Sequence, residues 1–334
     1  MSQPSSPAPA IGLDIGTSRI VKALPTESGH RFEAQLNAFV LLPYSKITES
    51  TLKKEQVPHV RRNGEIVVHG SEAERFADLL GVELRKPMSG GLLNPSEPDS
   101  LEQITAMLES LLGQSATAGQ KVVFSVPAAP PGREESVTYH EASIRQILEK
   151  LGYSPVPINE GLAVIYSELS EANFTGIGVS CGGGLCNVCL AYMSVPVLSF
   201  SIPKGGDYID SCAASATGEL ANRVRIAKEN GFYLNGRMGD KIYQALTVYY
   251  EDVIADLVRQ MKEQLLASKS LPKLGRPLPL VLSGGSALPQ GFRERFEQAL
   301  ALADFPIKIS AVRLAEQPLF STAKGALIAG LAEA

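Results

Sequence analysis

The sequence predicts an α/β protein built from two similar halves with a ligand cleft between them. Three observations carry that prediction. The chain has 334 residues, more than a single core comfortably serves. A unit of strand, glycine turn and strand occurs twice, at residues 11–23 and 176–192. The stretch between the two units alternates short apolar strands with helical patterns, the order of a mixed sheet flanked by helices.

Taken in order, residues 1–10 are rich in Pro, Ser and Ala and contain no Lys, Arg or apolar run. They read as a disordered tail rather than a signal peptide. Residues 11–23 form the first hairpin, turning at Gly16-Thr17-Ser18, where glycine is expected because a positive φ costs it little. A short strand is expected at 65–69 and a helix at 71–80, with Ser71 as its N-cap. Residues 87–98 read as loop and 101–112 as an amphipathic helix. Residues 121–126 form a buried strand, ended by Pro127 and Pro130-Pro131. A long helix at 133–151 stops at Gly152, and 155–158 is extended. The second hairpin turns at Gly182-Gly183-Gly184. Beyond it, 213–230 reads as one helix, 240–268 as one or two helices, and 271–279 as a proline-rich loop. A strand at 280–283 opens into Gly284-Gly285, and helices at 291–302 and 321–333 complete the pattern.

Composition narrows the function. Hydrophobic residues make up 44% and charged residues 20%, an ordinary globular balance. The formal charge of −4 leaves no broad basic face for nucleic acid, and Lys53-Lys54 and Arg61-Arg62 are short runs of the kind found on solvated faces. No apolar stretch approaches the roughly 20 residues that span a bilayer, and the tail lacks the basic amphipathic pattern of a surface-lying helix. A cytoplasmic protein with no integral membrane association is expected, its cysteines reduced. Cys181, Cys186, Cys189 and Cys212 match the spacing of plant-type iron–sulfur ligands. Strand alternation turns Cys186 and Cys189 to opposite faces, so they are expected to be small buried hydrophobes. His30, His59, His69 and His140 show no metal-ligand spacing, and Tyr243, Tyr249 and Tyr250 belong to the core of a helix.

The chemistry lies in the glycine turns. In Leu13-Asp14-Ile15-Gly16-Thr17-Ser18, turn N–H groups can cradle phosphate oxygens, and a strand-end carboxylate can reach Mg²⁺ through its waters. Taken alone the segment also reads as a plain hairpin. Further along stand Ser125-Val126-Pro127-Ala128, Ile158-Asn159-Glu160-Gly161-Leu162-Ala163, the triple glycine at 182–184, Leu282-Ser283-Gly284-Gly285-Ser286 and Ala323-Lys324-Gly325-Ala326. This ordered series resembles the five nucleotide-site motifs of the actin, sugar-kinase and heat-shock-chaperone ATPase superfamily. Val67-Val68-His69-Gly70-Ser71-Glu72-Ala73, the loop from Arg85 to Gly91, and Gly205-Gly206-Asp207-Tyr208-Ile209-Asp210 resemble segments of the bacterial MreB-like actins.

The resemblance implies an actin-like (ribonuclease-H-like) duplicated two-domain fold with ATP and Mg²⁺ in the cleft. Domain I would comprise 11–160 with 311–334 and a small subdomain at 33–100. Domain II would comprise 161–310 with a small subdomain at 211–268. The resemblance also implies nucleotide contacts from Asp14, Gly16, Thr17, Ser18, Glu160, Gly182, Gly183, Gly184, Gly284, Gly285 and Ser286, with Asp14 holding the metal's waters. Catalytic roles fall to Glu134 and Asp207. Glu134 would orient the attacking water, because phosphoryl transfer rests on positioning and charge stabilisation. A solvated first-turn carboxylate is the other reading of Glu134, and Glu135 leaves the register open.

One departure matters. The superfamily's second phosphate loop reads D-x-G-G-G-T, whereas this chain has Ser180-Cys181-Gly182-Gly183-Gly184-Leu185. A hydroxyl is a weaker partner than a carboxylate for a hard dication, so binding follows from the motifs more directly than hydrolysis. The resemblance implies a nucleotide-dependent filament former with weak ATPase activity, its head-to-tail contacts propagating into a polymer. A non-polymerising regulator, a chaperone-like ATPase and a small-molecule kinase remain open alternatives.

Overall fold

The computed structural model describes residues 8–82, 84–130, 134–234, 239–268 and 276–332. β1 (Ile11–Ile15), β2 (Arg19–Thr26) and β3 (Gly29–Leu36) form an antiparallel meander. An insertion follows, made of β4 (Phe39–Pro43), α1 (Lys46–Lys54), β5 (His59–Arg62), β6 (Glu65–His69) and α2 (Ser71–Leu80). It continues through the short pair β7 (Met88–Ser89) and β8 (Leu92–Leu93) to α3 (Ser100–Leu112). β9 (Gln120–Val126), α4 (Glu134–Lys150), β10 (Tyr153–Asn159) and α5 (Glu160–Glu168) complete the first half.

The plan then repeats. β11 (Gly176–Cys181), β12 (Cys186–Tyr192) and β13 (Val195–Ile202) form a second meander. Its insertion is helical: α6 (Gly206–Thr217), α7 (Ala221–Glu229) and α8 (Lys241–Ala267). β14 (Leu278–Ser283), α9 (Phe292–Leu302), β15 (Ile309–Leu314) and α10 (Ser321–Ala332) follow. The sheets run β3-β2-β1-β9-β10 and β13-β12-β11-β14-β15, the same order in both halves. In each sheet the fourth and fifth strands join parallel to the first. The duplication reaches the residues: Ile11-Gly12-Leu13-Asp14-Ile15-Gly16 corresponds to Ile177-Gly178-Val179-Ser180-Cys181-Gly182.

The central strands are buried on both faces, as strands covered by helices must be. Cys181 and Cys186 pack into the core under α8, while Cys189 faces α5 on the other side of the sheet. Leu246, Tyr250, Val253, Leu257, Met261 and Leu265 recur every three or four residues and form the buried stripe of α8. α5 begins where Asn159 accepts the Leu162 N–H at 3.1 Å, a side-chain cap.

α5 lies against the second sheet, α10 lies against the first, and the two helices pack on each other. Glycine permits this. A Cβ on Gly325 would collide with the Ala163 carbonyl, one on Gly12 with that of Ala323, and one on Gly178 with that of Gly161.

Several expectations need correction. Ser71 is the first residue of α2, and the cap position is Gly70, at φ 70° with no side-chain bond. The helix expected at 213–230 is two helices, because Gly218 takes the left-handed conformation and ends α6. Residues 311–314 belong to β15 in the second sheet, so the return to the first half falls at α10. The loop expected at 87–98 contains the β7–β8 pair. Of the expected tail, residues 1–7 lie outside the described residues; Ala10 is buried, and the Pro9 carbonyl accepts from Gln120 at 2.8 Å. Arg133, residues 333–334 and most of the expected loop at 271–279 also lie outside the described residues. The expected long helix begins, among the described residues, at Glu134.

His140 carries a consequence for stability. It is fully buried on α4, and neither ring nitrogen has a hydrogen-bond partner among the described residues. Burial lowers its pKa from the ordinary 6.5 to about 4. The unfolded chain therefore takes up a proton near pH 6.5 that the folded chain refuses until about pH 4. Stability is fully present above pH 6.5 and is lost as pH falls through that window, by about 3 kcal/mol from this group. His140→Leu is expected to flatten this part of the pH profile and to be at least as stable as wild type at pH 5, as urea denaturation at pH 7 and pH 5 would reveal.

Candidate functional site

The two β-hairpins point their turns at each other. Gly16 N donates to Arg19 O at 2.9 Å, and Gly182 N donates to Leu185 O at 3.0 Å, closing the two tips. None of Gly16, Gly182, Gly183 and Gly184 takes a positive φ, contrary to the expectation from turn chemistry. Glycine is required at 183 and 184 by close approach instead. A Cβ on Gly183 would strike the Ser18 hydroxyl, and one on Gly184 would strike Thr17 and the backbone of Gly91.

Thr17 is buried and its hydroxyl accepts from Gly91 N at 2.9 Å, which seats the loop at 85–91 over the first turn. Behind the second turn, Gly206 N donates to Gly182 O at 3.0 Å and Asp207 N donates to Gly183 O at 2.8 Å. The N-terminus of α6 is thereby fixed against the glycines. Ser286 Oγ also donates to Gly182 O, at 2.8 Å. Gly284, at φ 90°, packs so closely on Cys181 that a Cβ would overlap its carbonyl. The loop after β14 therefore rests directly on the second turn.

Asp14, Gly16, Thr17, Ser18, Glu160, Gly182, Gly183, Gly184, Asp207, Gly284, Gly285 and Ser286 all line one cavity of about 440 Å³ between the halves. Glu134 does not line it; Glu134 and Glu135 open α4 at exposed positions. Ser180, which stands where the first half has Asp14, does line the cavity.

The floor holds two carboxylates, Glu160 buried and Asp14 half-buried. Asp14 accepts from Ser125 Oγ at 2.7 Å, and Glu160 accepts from Asn187 Nδ2 at 2.7 Å and from Ser180. Burial raises both pKa values, and the Asp14 charge raises that of Glu160 further, against the lowering effect of these hydrogen bonds. Neither carboxylate has a cationic partner among the described residues. Such a pair fits a hard divalent cation, which typically takes one or two carboxylates and completes its shell with water and phosphate. No third His, Cys, Asp or Glu joins them among the described residues.

Ion pairs between the halves border the cavity, and the pairing partners were not apparent from the motifs. Lys86 Nζ lies 2.7 Å from Asp207 Oδ1 and bridges the two halves. Arg225 on α7 pairs with Glu74 on α2 and with Glu229, and Arg19 on β2 reaches Glu229 at 3.0 Å. Inside, Lys228 Nζ lies 2.8 Å from Asp210 Oδ2. Arg225, Lys228 and Glu229 sit at i, i+3 and i+4, one face of a helix, and that spacing was the available signal for them. Asn187 had none: it is fully buried on β12, and its Oδ1 accepts from Ala128 N at 2.9 Å while its amide donates to Glu160.

Duplicated sheets joined by two crossed helices, with paired turns over a central cavity, define an actin-like fold. A model of the Volactin family matches residues 10–330, and the chain belongs to that family. No curated protein matches it. Among solved structures, the MamK double helical filament aligns at TM-score 0.70 and 18% identity, covering 97% of this chain and 98% of that one. MreB5 of Spiroplasma citri bound to ADP aligns at 0.65 and 14%, covering 95% and 94%. A non-polymerising MamK mutant bound to AMPPNP aligns at 0.58 and 17%, covering 98% and 99%. These likenesses establish the fold. No helix among the described residues is long and apolar enough to cross a membrane.

Asn187 ties β12 to α5 and to the strand-end loop after β9. Asn187→Leu takes one of its two hydrogen-bond donors from the buried Glu160 carboxylate and leaves the Ala128 N–H without its acceptor, and is expected to cost about 2–4 kcal/mol of unfolding free energy. An unchanged midpoint in urea denaturation would show that water replaces both bonds.

Proposed function

We propose that the chain is a cytoplasmic, actin-like protein that binds ATP in this cleft, with Mg²⁺ at Asp14 and Glu160, and assembles into filaments as nucleotide closes its two domains. Domain I would be residues 11–160 with α10, and domain II the remainder to β15. The observation that carries the reading is the pair of turns, 16–18 and 182–184, meeting over a cavity that also receives the 284–286 loop. Turn N–H groups suit phosphate oxygens, and the glycines of the 284–286 loop allow backbone to approach a nucleoside. Mg²⁺ would supply charge neutralisation of the phosphates. The solved relatives with this fold include a filament and forms bound to ADP or AMPPNP, which supports the reading.

The chain's own residues do the holding. Asp207, paired with Lys86, and Ser18, whose hydroxyl lies 3.4 Å from Asp207, bring both halves to the terminal-phosphate end. The chain Glu74–Arg225–Glu229–Arg19 closes the mouth and must open for exchange. Hydrolysis is assigned as weak, with Asp207 as the carboxylate at hand in the cavity and Glu134 outside its lining. A second reading is a nucleotide-sensing regulator that does not polymerise. Ser180 and Leu185 favour it, since Leu185 is buried against Gly91, where the superfamily carries a hydroxyl.

ATP with Mg²⁺ at several protein concentrations, with phosphate release and light scattering read together, separates the two. Concentration-dependent scatter with ATP and none with ADP is the expected outcome; flat scatter with retained binding would select the regulator. ATP at a hundredfold excess over its Kd should stabilise the wild type by about 2.7 kcal/mol in a thermal melt. Gly184→Ala, whose added methyl would meet the Gly91 backbone across the hairpin tips, should remove that stabilisation.

A further inference from the structure

We propose that Lys228 is the group by which this cleft distinguishes a phosphorylated nucleotide from a bare nucleoside, a role that rests on the nucleotide reading above. The cationic residues lining the cavity are Arg19, Arg225 and Lys228. Arg225 is engaged by Glu74 and Glu229, and Arg19 by Glu229, and these pairs hold the mouth. The Lys228 side chain is 10% exposed, and its partners are Asp210 Oδ2 at 2.8 Å and the Gly206 carbonyl at 3.5 Å. An ammonium carries three N–H donors, so at least one remains for a ligand.

The position is specific. A Cβ built on Gly206 would lie 2.8 Å from Ser286 Oγ, 3.2 Å from Lys228 Nζ and 3.6 Å from Gly183 Cα. The missing side chain at Gly206 thus makes room for the ammonium and for the hydroxyl of the 284–286 loop to sit beside the middle glycine of the second turn. A phosphate held at that turn, on the cavity side, would meet the ammonium as an acceptor.

Charge favours the same assignment. The cavity already holds Asp14, Glu160, Asp207 and Asp210, and further anions need compensation there. Lys86, paired with Asp207, does not line the cavity. Ser180 replaces a carboxylate that would help hold a metal, so a protein-borne cation takes a larger share of the phosphate charge. Asp210, buried with Oδ1 unpartnered among the described residues, positions the lysine.

The test is equilibrium binding of ADP and of adenosine to the full chain in EDTA, which removes any metal contribution. Wild type is expected to bind ADP about tenfold or more tighter than adenosine. The neutral pair Lys228→Met with Asp210→Asn avoids stranding a buried charge and should lose that ratio with adenosine affinity unchanged. Lys228→Gln, which keeps a donor for Asp210, gives the same reading if the double variant does not fold. A ratio retained in the variants would make Lys228–Asp210 a structural pair only. Equal weakening of both ligands would move Lys228 to the sugar, and a wild-type ratio near one would also overturn the proposal. Wild type that binds neither ligand, with or without Mg²⁺, would defeat the nucleotide reading itself, and this inference with it.

Discussion

The close crossing of α5 and α10 is the constraint on which the rest of the molecule depends. Each helix lies on the sheet of a different half, and the helices touch each other through Gly325 and the Ala163 backbone. Gly12 and Gly178 repeat the device one layer out, bringing each central strand onto its helix. Contacts between backbones at this distance tolerate no added methyl group without a shift, because close-packed interiors have no slack to absorb it. The two sheets are thereby joined through this helix pair, and the cavity opens between the halves that it connects.

Within that frame the hairpin tips are organised by approach rather than by turn geometry. The glycines at 183 and 184 have ordinary backbone angles and are small because Ser18, Thr17 and Gly91 stand against them. The same economy of space brings α6 and the 284–286 loop onto the Gly182 carbonyl, which accepts from both. A single carbonyl therefore couples the second turn to two elements of the second half. The loop at 85–91 couples it to the first half.

The floor and the mouth of the cavity differ in charge logic. The floor brings Asp14 and Glu160 together with no Lys or Arg paired to either among the described residues, an arrangement that raises the pKa of both. The mouth, by contrast, satisfies its charges internally, through Lys86–Asp207 and the run from Glu74 to Arg19.

Much of this was legible in the sequence. Near-continuous apolar runs bounded by glycine and proline marked β1, β9, β11 and β14, and the order of glycine-bearing segments indicated the duplicated fold and most of the cavity lining. Those signals are local, since a buried central strand or a tight turn imposes its composition on a few consecutive residues. Other features were not local. The break at Gly218 was missed because a left-handed cap depends on what packs beyond it, and β3, β13 and β15 carry mixed, half-exposed patterns that only their neighbours in the sheet make into strands. Asn187 and Lys228 look ordinary in sequence, on a strand and a helix. Their partners lie 27 residues away at Glu160 and 18 away at Asp210. The sequence by itself determined the two halves and their glycine turns, because backbone approach and burial restrict which residues can stand there. Only the tertiary structure decided which charges meet across the cleft, because pairing between long side chains depends on the distance at which α5 and α10 hold the two sheets.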